Sequence, residues 1–481
     1  MSQSANLKRS VFLVGLEKFS MILFQFISSI ILARLLTPED YGIVAMIAIF
    51  ISLSSILVDS GFGGALVYYK DVDKKDYSTV FWMNMALSIS LYILMYINAE
   101  TISEFYQTPI LSDLIKVLGL SVVFNSIGLI QFTILYKNLE FKTLGLISVT
   151  SYILSALIAI ALAYWGYGVW ALIAQQVLAS ILKTILYVIC NRFVPDLYFS
   201  WRLLKKHWNF GSGLFFSTLL RTVYDNMYLQ LIGKYCSVTN AGYYNQAKKL
   251  KDIPSNLFSN TFDTSLFPVF SKIEDEQLFV SKYRMINRMF SFCCIPIFFI
   301  MAVLSKDIVL WLLGEKWIES AWILSIMSMG AIFYIFESIS RSIFKAKGKS
   351  GLIFRLDIVK RTSAILLMFI AVVQYELTGI VYVFVINSII GYLINQYYLS
   401  RIIPYSLFQA LKDTGKYAIL SIVLTVGIHY LMELDLIKGH LFCCIIYSVI
   451  FMAFYIFFNS LTKDEAIKYI YGFIGKKIRR N

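Results

Sequence analysis

The chain has 481 residues, 58% of them hydrophobic and only 15% charged, with a formal net charge of +14. Soluble domains carry about a quarter charged residues, so too few polar side chains exist here to cover a water-facing surface, and much of the surface must face lipid. The excess of base follows the distribution expected of membrane-flanking segments and gives no footprint for nucleic acid.

The opening stretch, MSQSANLKRS, is polar and leads into an apolar run too long for a signal-peptide core and without a small-residue cleavage site. Residues 11–33 therefore read as a first membrane helix. About 20 helical residues cross roughly 30 Å of hydrocarbon. That ruler places further spans over 43–66, 79–99, 113–134, 143–163, 169–190, 210–232, 242–268, 285–304, 319–344, 352–373, 378–399, 416–433 and 440–459. Helices are expected because they satisfy their own backbone groups in lipid, and runs such as SSIILARLL lack the alternation of a barrel strand. The eighth span is interrupted by Lys248, Lys249, Lys251 and Pro254, and the thirteenth is short.

The connecting segments set the orientation. With both termini cytoplasmic, the opposite face holds only Arg34, Lys234, Lys306, Lys316 and Lys438, and the remaining loop cations fall inside. The tail, KDEAIKYIYGFIGKKIRRN, reads as a basic amphipathic helix on anionic lipid. The basic segment 191–209, with Pro195, is the natural seam between two six-helix halves. A faint repeat agrees: LLTPEDYGIVAM (Leu35 to Met46) and CSVTNAGYYNQA (Cys236 to Ala247) each place a glycine-aromatic turn at the outer face, with Gly42 and Gly242 in register. The expected organisation is residues 1–200 and 201–405 as parallel repeats, then 406–481 with two extra spans and the tail.

Charges inside a bilayer mark a pathway or site by default. Arg221 lies mid-way along the seventh span, with Asp225 one turn on, where the two can pair. Lys248, Lys249 and Lys251 lie in the eighth span, Lys360 and Arg361 in the eleventh, and Lys18 beside Glu17 in the first. Lys116 and Lys183 are near enough to helix ends to snorkel. A surplus of cations facing a wet cavity favours an anionic, phosphate-bearing substrate. Tyr224, Tyr228, Tyr243 and Tyr244 beside the cluster are candidates to stack on sugar rings, although tyrosine also belongs at membrane interfaces. Acids able to carry a coupling H+ or Na+ are Glu17, Asp59, Asp225, Asp263 and Glu337. Six cysteines and three histidines are scattered without metal-ligand spacing, and no Walker, HExxH or GxSxG motif occurs, so no cofactor, metal or enzymatic centre is expected.

Three stretches, ARLLTPEDYGIVAM (Ala33 to Met46), RTVYDNMYLQLIGKY (Arg221 to Tyr235) and AGYYNQAKKLKDIP (Ala241 to Pro254), resemble the Wzx-type oligosaccharide flippase branch of the MOP exporter superfamily. The resemblance runs over essentially the whole chain. It implies an all-α membrane protein of about 14 transmembrane helices, two six-helix bundles around a V-shaped cavity plus two final helices. It further implies alternating access that carries an undecaprenyl-diphosphate-linked oligosaccharide from the inner to the outer leaflet of a bacterial cytoplasmic membrane, beside a polysaccharide polymerase. By this likeness Arg221 and Lys248 would touch the diphosphate or sugar, Asp225 would position Arg221, and Gly42 and Gly242 would be turn residues. Two other readings remain: an exporter of the multidrug (MATE) branch, which would favour surplus acid in its cavity, and a membrane enzyme of polysaccharide assembly, which the short outer loops disfavour.

Overall fold

An apolar chain in lipid satisfies its backbone most simply as helix, and the described residues follow that rule. The computed structural model describes Met21, residues 24–261, 267–435, 437–462 and Asp464. In chain order the helices are α1 (Phe24–Leu35), α2 (Pro38–Asp59), α3 (Phe62–Tyr68), α4 (Lys74–Tyr106), α5 (Leu111–Lys137), α6 (Phe141–Tyr164), α7 (Val169–Asn191), α8 (Trp201–Tyr235) and α9 (Val238–Thr261). They continue with α10 (Phe267–Phe270), α11 (Glu276–Val303), α12 (Ser305–Leu312), α13 (Glu319–Ala346), α14 (Ser350–Ser400), α15 (Leu407–Glu433) and α16 (His440–Leu461). No strand occurs among the described residues.

Among the described residues, ten helical runs are long and apolar enough to cross a membrane. One of them, within α14, covers two expected spans, because Glu376 (φ 50°, ψ −134°) breaks the helix between 352–373 and 378–399. Below, the first arm of α14 is the part before Glu376 and the second arm the part after it. Helices α8 and α9 stand where the seventh and eighth spans are expected, but they are not among the ten. The amphipathic tail helix and the inner part of the first span lie outside the described residues.

Three details differ from the expectations. The second span is not continuous: Ser60 (φ 46°) and Gly61 (φ 73°) take the left-handed conformation and separate α2 from α3. Lys137 Nζ donates to the carbonyls of Leu66 (2.9 Å) and Tyr69 (2.7 Å), satisfying groups that end α3. Pro254 does not interrupt α9, which runs through to Thr261, and the Ser255 hydroxyl donates to the Lys251 carbonyl (2.8 Å) in the same turn.

The third difference concerns Gly42 and Gly242, which are helical and not in turns. Thr37 caps α2 through a reciprocal capping box with Asp40, and Pro38 fills the first helical position. The helix has therefore begun before Gly42 is reached. A Cβ at Gly42 would lie 1.9 Å from the Val238 carbonyl oxygen, and one at Gly242 would lie 1.8 Å from that of Pro38. The two helix starts cross backbone to backbone, each glycine facing the carbonyl one turn upstream in the other helix. Small residues permit this approach in membrane helices.

The chain forms two compact units, Met1–Gly242 and Tyr243–Asn481, with the boundary inside α9. In the first, Ile43 and Ile47 of α2, Met95 of α4, Ile115 and Leu118 of α5 and Ile173 of α7 pack into one apolar core. In the second, Phe279 and Phe298 of α11, Ile335 of α13, Tyr417 of α15 and Phe451 of α16 do the same. Polar bonds pin the ends of these cores. In the first unit, buried His207 bonds Asp76 (2.7 Å). In the second, Asp413 accepts from both Arg284 (2.9 and 3.1 Å) and Arg288 (2.6 and 2.9 Å). Tyr405, in the link before α15, donates to Asp413 (3.2 Å), and burial holds its hydroxyl well above the ordinary phenol range, so it stays a donor.

Candidate functional site

A run of helical residues that is polar where its neighbours are apolar needs a polar surrounding, and among the described helices α8 and α9 are such runs. Near the middle of α8, Arg221 Nε lies 3.5 Å from Asp225 Oδ2, with the side chains 69% and 48% exposed. The pair meets at the expected one-turn spacing, but it is open and long. Tyr224 and Tyr228 on the same helix bring their hydroxyls within 3.2 Å of each other. Tyr228 and Tyr244 are buried, so only Tyr224 and Tyr243 of the four tyrosines keep a partly accessible ring.

The three lysines of α9 part company. Lys251 is buried, 2.5 Å from Asp252 Oδ1, with its ammonium 4.8 Å from the centre of the Phe384 ring. Lys248 is half-buried and reaches the other oxygen of Asp252 at 3.1 Å. Lys249 is exposed. Asp252 therefore neutralises much of what looks cationic in the sequence. It stands one turn beyond Lys248, a spacing that can be read directly.

Lys360 and Arg361 fall into a second cluster, in which Lys360 is 5% exposed. Its ammonium bonds Glu337 Oε1 at 2.6 Å and Asn395 Oδ1 at 3.1 Å and lies 3.3 Å from Asp357 Oδ1. Arg341 reaches Asp357 Oδ2 at 2.5 Å, and Arg361 stands 3.9 Å from the same oxygen. Glu337, expected as an ion carrier, and Lys360, expected at the substrate, are thus partners in one bonded set. No short-range pattern announces Asn395, which comes from the second arm of α14.

In the first unit, Asp59 at the end of α2 lines a cavity of about 270 Å³ with Asn125, Phe132, Lys183, Thr184 and Tyr187. Asp59 Oδ1 accepts from the Gly63 amide at 3.0 Å, which fixes one carboxylate oxygen at the α2–α3 break. Lys183 thus lines a hollow whose walls are mostly apolar. Lys116 sits 3.5 Å from Glu100. Glu17, Lys18 and Asp263 lie outside the described residues. Among the described residues no group of three His, Cys, Asp or Glu side chains is placed to hold a metal ion.

The chain is 28% identical over 363 residues to the teichuronic acid biosynthesis protein TuaB of Bacillus subtilis, covering 74% of each chain. It is 23% identical over 396 residues to the lipopolysaccharide biosynthesis protein WzxC of Escherichia coli, covering 78% of this chain and 80% of that one. Its fold matches that of the lipid II flippase MurJ in an inward closed conformation, with a TM-score of 0.75 at 19% identity over 94% of this chain and all of that one. An inward-facing MATE transporter of the MOP superfamily matches at a TM-score of 0.58 and 14% identity, over 79% of this chain and 95% of that one. The family model described as polysaccharide biosynthesis protein matches residues 31–322, more than half of the sequence, and this multi-pass membrane chain belongs to that family.

Proposed function

We propose that this protein is a flippase that carries an undecaprenyl-diphosphate-linked oligosaccharide, the repeat unit of an O-antigen, capsule or exopolysaccharide, from the inner to the outer leaflet of the bacterial cytoplasmic membrane. In this reading the chain crosses the bilayer fourteen times with both termini in the cytoplasm. Residues 1–200 and 201–405 are the two six-helix repeats, and 406–481 adds two helices and the basic tail. The observation that carries the reading is the polarity of α8 and α9, two helices of 35 and 24 residues that stand in a series of apolar spans yet carry exposed charge at Arg221, Asp225 and Lys249. Such helices are stable in a membrane only along water.

Transport then follows from chemistry. In this reading the guanidinium of Arg221 holds the diphosphate oxygens, while the polyprenyl tail stays in lipid. The bilayer end of the cargo never has to enter water, and its charged end never has to enter hydrocarbon. Asp225 orients Arg221 and lowers its net charge, so that the cargo is bound firmly enough to enter and loosely enough to leave. Asp59, which lines one hollow together with Lys183, is a candidate for a coupling H+ or Na+. The names of the relatives, which include a lipid II flippase and a succinoglycan biosynthesis transport protein of Rhizobium meliloti, support transport over synthesis. They also suit a polysaccharide polymerase as downstream partner.

Deleting the gene, or replacing Arg221 with Ala in an otherwise intact strain, is expected to trap complete lipid-linked units in the cytoplasmic leaflet. Normal export, or a block before the unit is completed, would overturn the reading. Export of small organic cations with no effect on polysaccharide would favour a MATE-like exporter instead.

A further inference from the structure

A lysine ammonium has three N–H donors and no acceptor. Few buried lysines meet three oxygens from three separate segments, but Lys360 does. Glu337 comes from α13, Asp357 from the first arm of α14, and Asn395 from its second arm, at 2.6, 3.3 and 3.1 Å. The Asn395 amide is oriented by its other end, which donates to the Glu337 carbonyl at 3.3 Å, so its oxygen is turned toward the ammonium. Gly391 lies beside this group: a Cβ there would lie 2.5 Å from Glu337 Oε2, so a larger residue would push the carboxylate aside. Arg341 bonds the far oxygen of Asp357, with Arg361 3.9 Å away from it, and the near oxygen faces Lys360.

A simple ion pair would need one carboxylate. Three oxygens around one point, one of them a neutral amide, are ligands of the type by which proteins hold a hard cation. We propose that Glu337, Asp357 and Asn395 form a monovalent-cation site whose resident occupant is the protein's own Lys360 ammonium, tethered to the chain in place of a free ion. The site draws α13 and the two arms of α14 together, and the native protein needs no dissolved cation there. The assignment takes Lys360 away from substrate contact and rests on the transporter reading in nothing else.

The test uses purified full-length protein in detergent and thermal unfolding followed by tryptophan fluorescence, in chloride salts at equal ionic strength. Choline is too bulky for the site; sodium, potassium, ammonium and methylammonium are the probes. Wild type is expected to melt alike in all of them. Lys360→Ala should melt lower in choline and gain at least about 2 °C, saturably, with one of the small cations. That gain should vanish in Lys360→Ala/Glu337→Gln and in Lys360→Gln, whose amide fills the space. The proposal is overturned if no small cation lifts Lys360→Ala above its choline value. It is equally overturned if wild type itself shows a selective cation effect that Glu337→Gln abolishes, a measurement that stands even if the alanine variant does not fold. Because transport is not read out, these results can fail while the flippase reading stands, and the export assay can fail while they hold.

Discussion

Replacing Gly42 or Gly242 with alanine tests the close crossing of α2 and α9. The added Cβ at Gly42 would sit 1.9 Å from the Val238 carbonyl oxygen and 2.8 Å from its carbon, and the one at Gly242 would sit 1.8 Å from the Pro38 oxygen. Both obstacles are backbone, so no side chain can swing aside. Restoring even a tight 3.0 Å contact requires the helices to part by about 1.1 Å, a forced shift of the kind that costs roughly 1–3 kcal/mol. Alanine recovers about 1 kcal/mol of helix propensity. Each variant should therefore lose up to about 2 kcal/mol and melt up to roughly 8 °C lower. Gly415→Ala and Gly427→Ala are the controls: nothing lies within 4 Å of either added methyl, so each should be neutral or gain up to about 1 kcal/mol. The two crossing glycines share one contact, so the double variant should cost clearly less than the two singles together. Thermal unfolding in detergent of the four single variants and the double reads all of this. Gly42→Ala melting with the controls, or full additivity in the double, would refute the crossing.

Three further outcomes are expected. Lys137→Met leaves the Leu66 and Tyr69 carbonyls without their donor, and a loss of about 1–3 kcal/mol should appear in the unfolding midpoint; unchanged stability would mean the ammonium contributes nothing at the end of α3. Asp413→Asn sets Arg284 and Arg288 against each other beside Tyr405, and because both guanidinium groups reach water the cost should be about 2–4 kcal/mol, below the cost of leaving a fully buried charge unpaired; no destabilisation would show the cluster to be ornamental. Arg221→Cys, in a background without the native cysteines, should react with a membrane-impermeant thiol reagent and be protected by undecaprenyl diphosphate. Inertness toward the reagent would place the position in lipid.

The spans were legible because their signal is long and local. Eleven of the fourteen expected runs reappear within the ten apolar helical runs, the two of α14 joined across Glu376, since twenty apolar residues have few alternatives in lipid. The positions of α8 and α9 were legible as well. The state of their charges was not. Asp252 sits one turn after Lys248 and Asp357 three residues before Lys360, spacings that announce a partner within the helix itself. Glu337 and Asn395 stand 23 and 35 residues from Lys360, and nothing local in the sequence joins them. The glycines misled for a different reason. A Thr-Pro-Glu-Asp run followed by Gly can read as a turn, but the same residues make a capped helix start, and only the neighbouring helix reveals why Gly42 lacks a side chain.

The fate of the cations bears directly on mechanism. Counting Lys and Arg in the spans suggests a broadly positive passage, yet Lys251 and Lys360 are each held within 2.6 Å of a carboxylate and keep their charge inside the protein. A buried ion pair of this kind costs desolvation that its attraction only roughly offsets, so it is better suited to fixing the register of helices than to greeting a substrate. Arg221 is different. Its partner is 3.5 Å away and the guanidinium is 69% exposed half-way along a 35-residue helix, where contact with hydrocarbon would cost several kcal/mol and contact with water almost nothing. A diphosphate can displace so loose a partner as Asp225, whereas it could not easily strip Lys360 from three oxygens. Arg221 is thus open to an anionic group, whereas Lys251 and Lys360 spend their charge on holding their own helices in register.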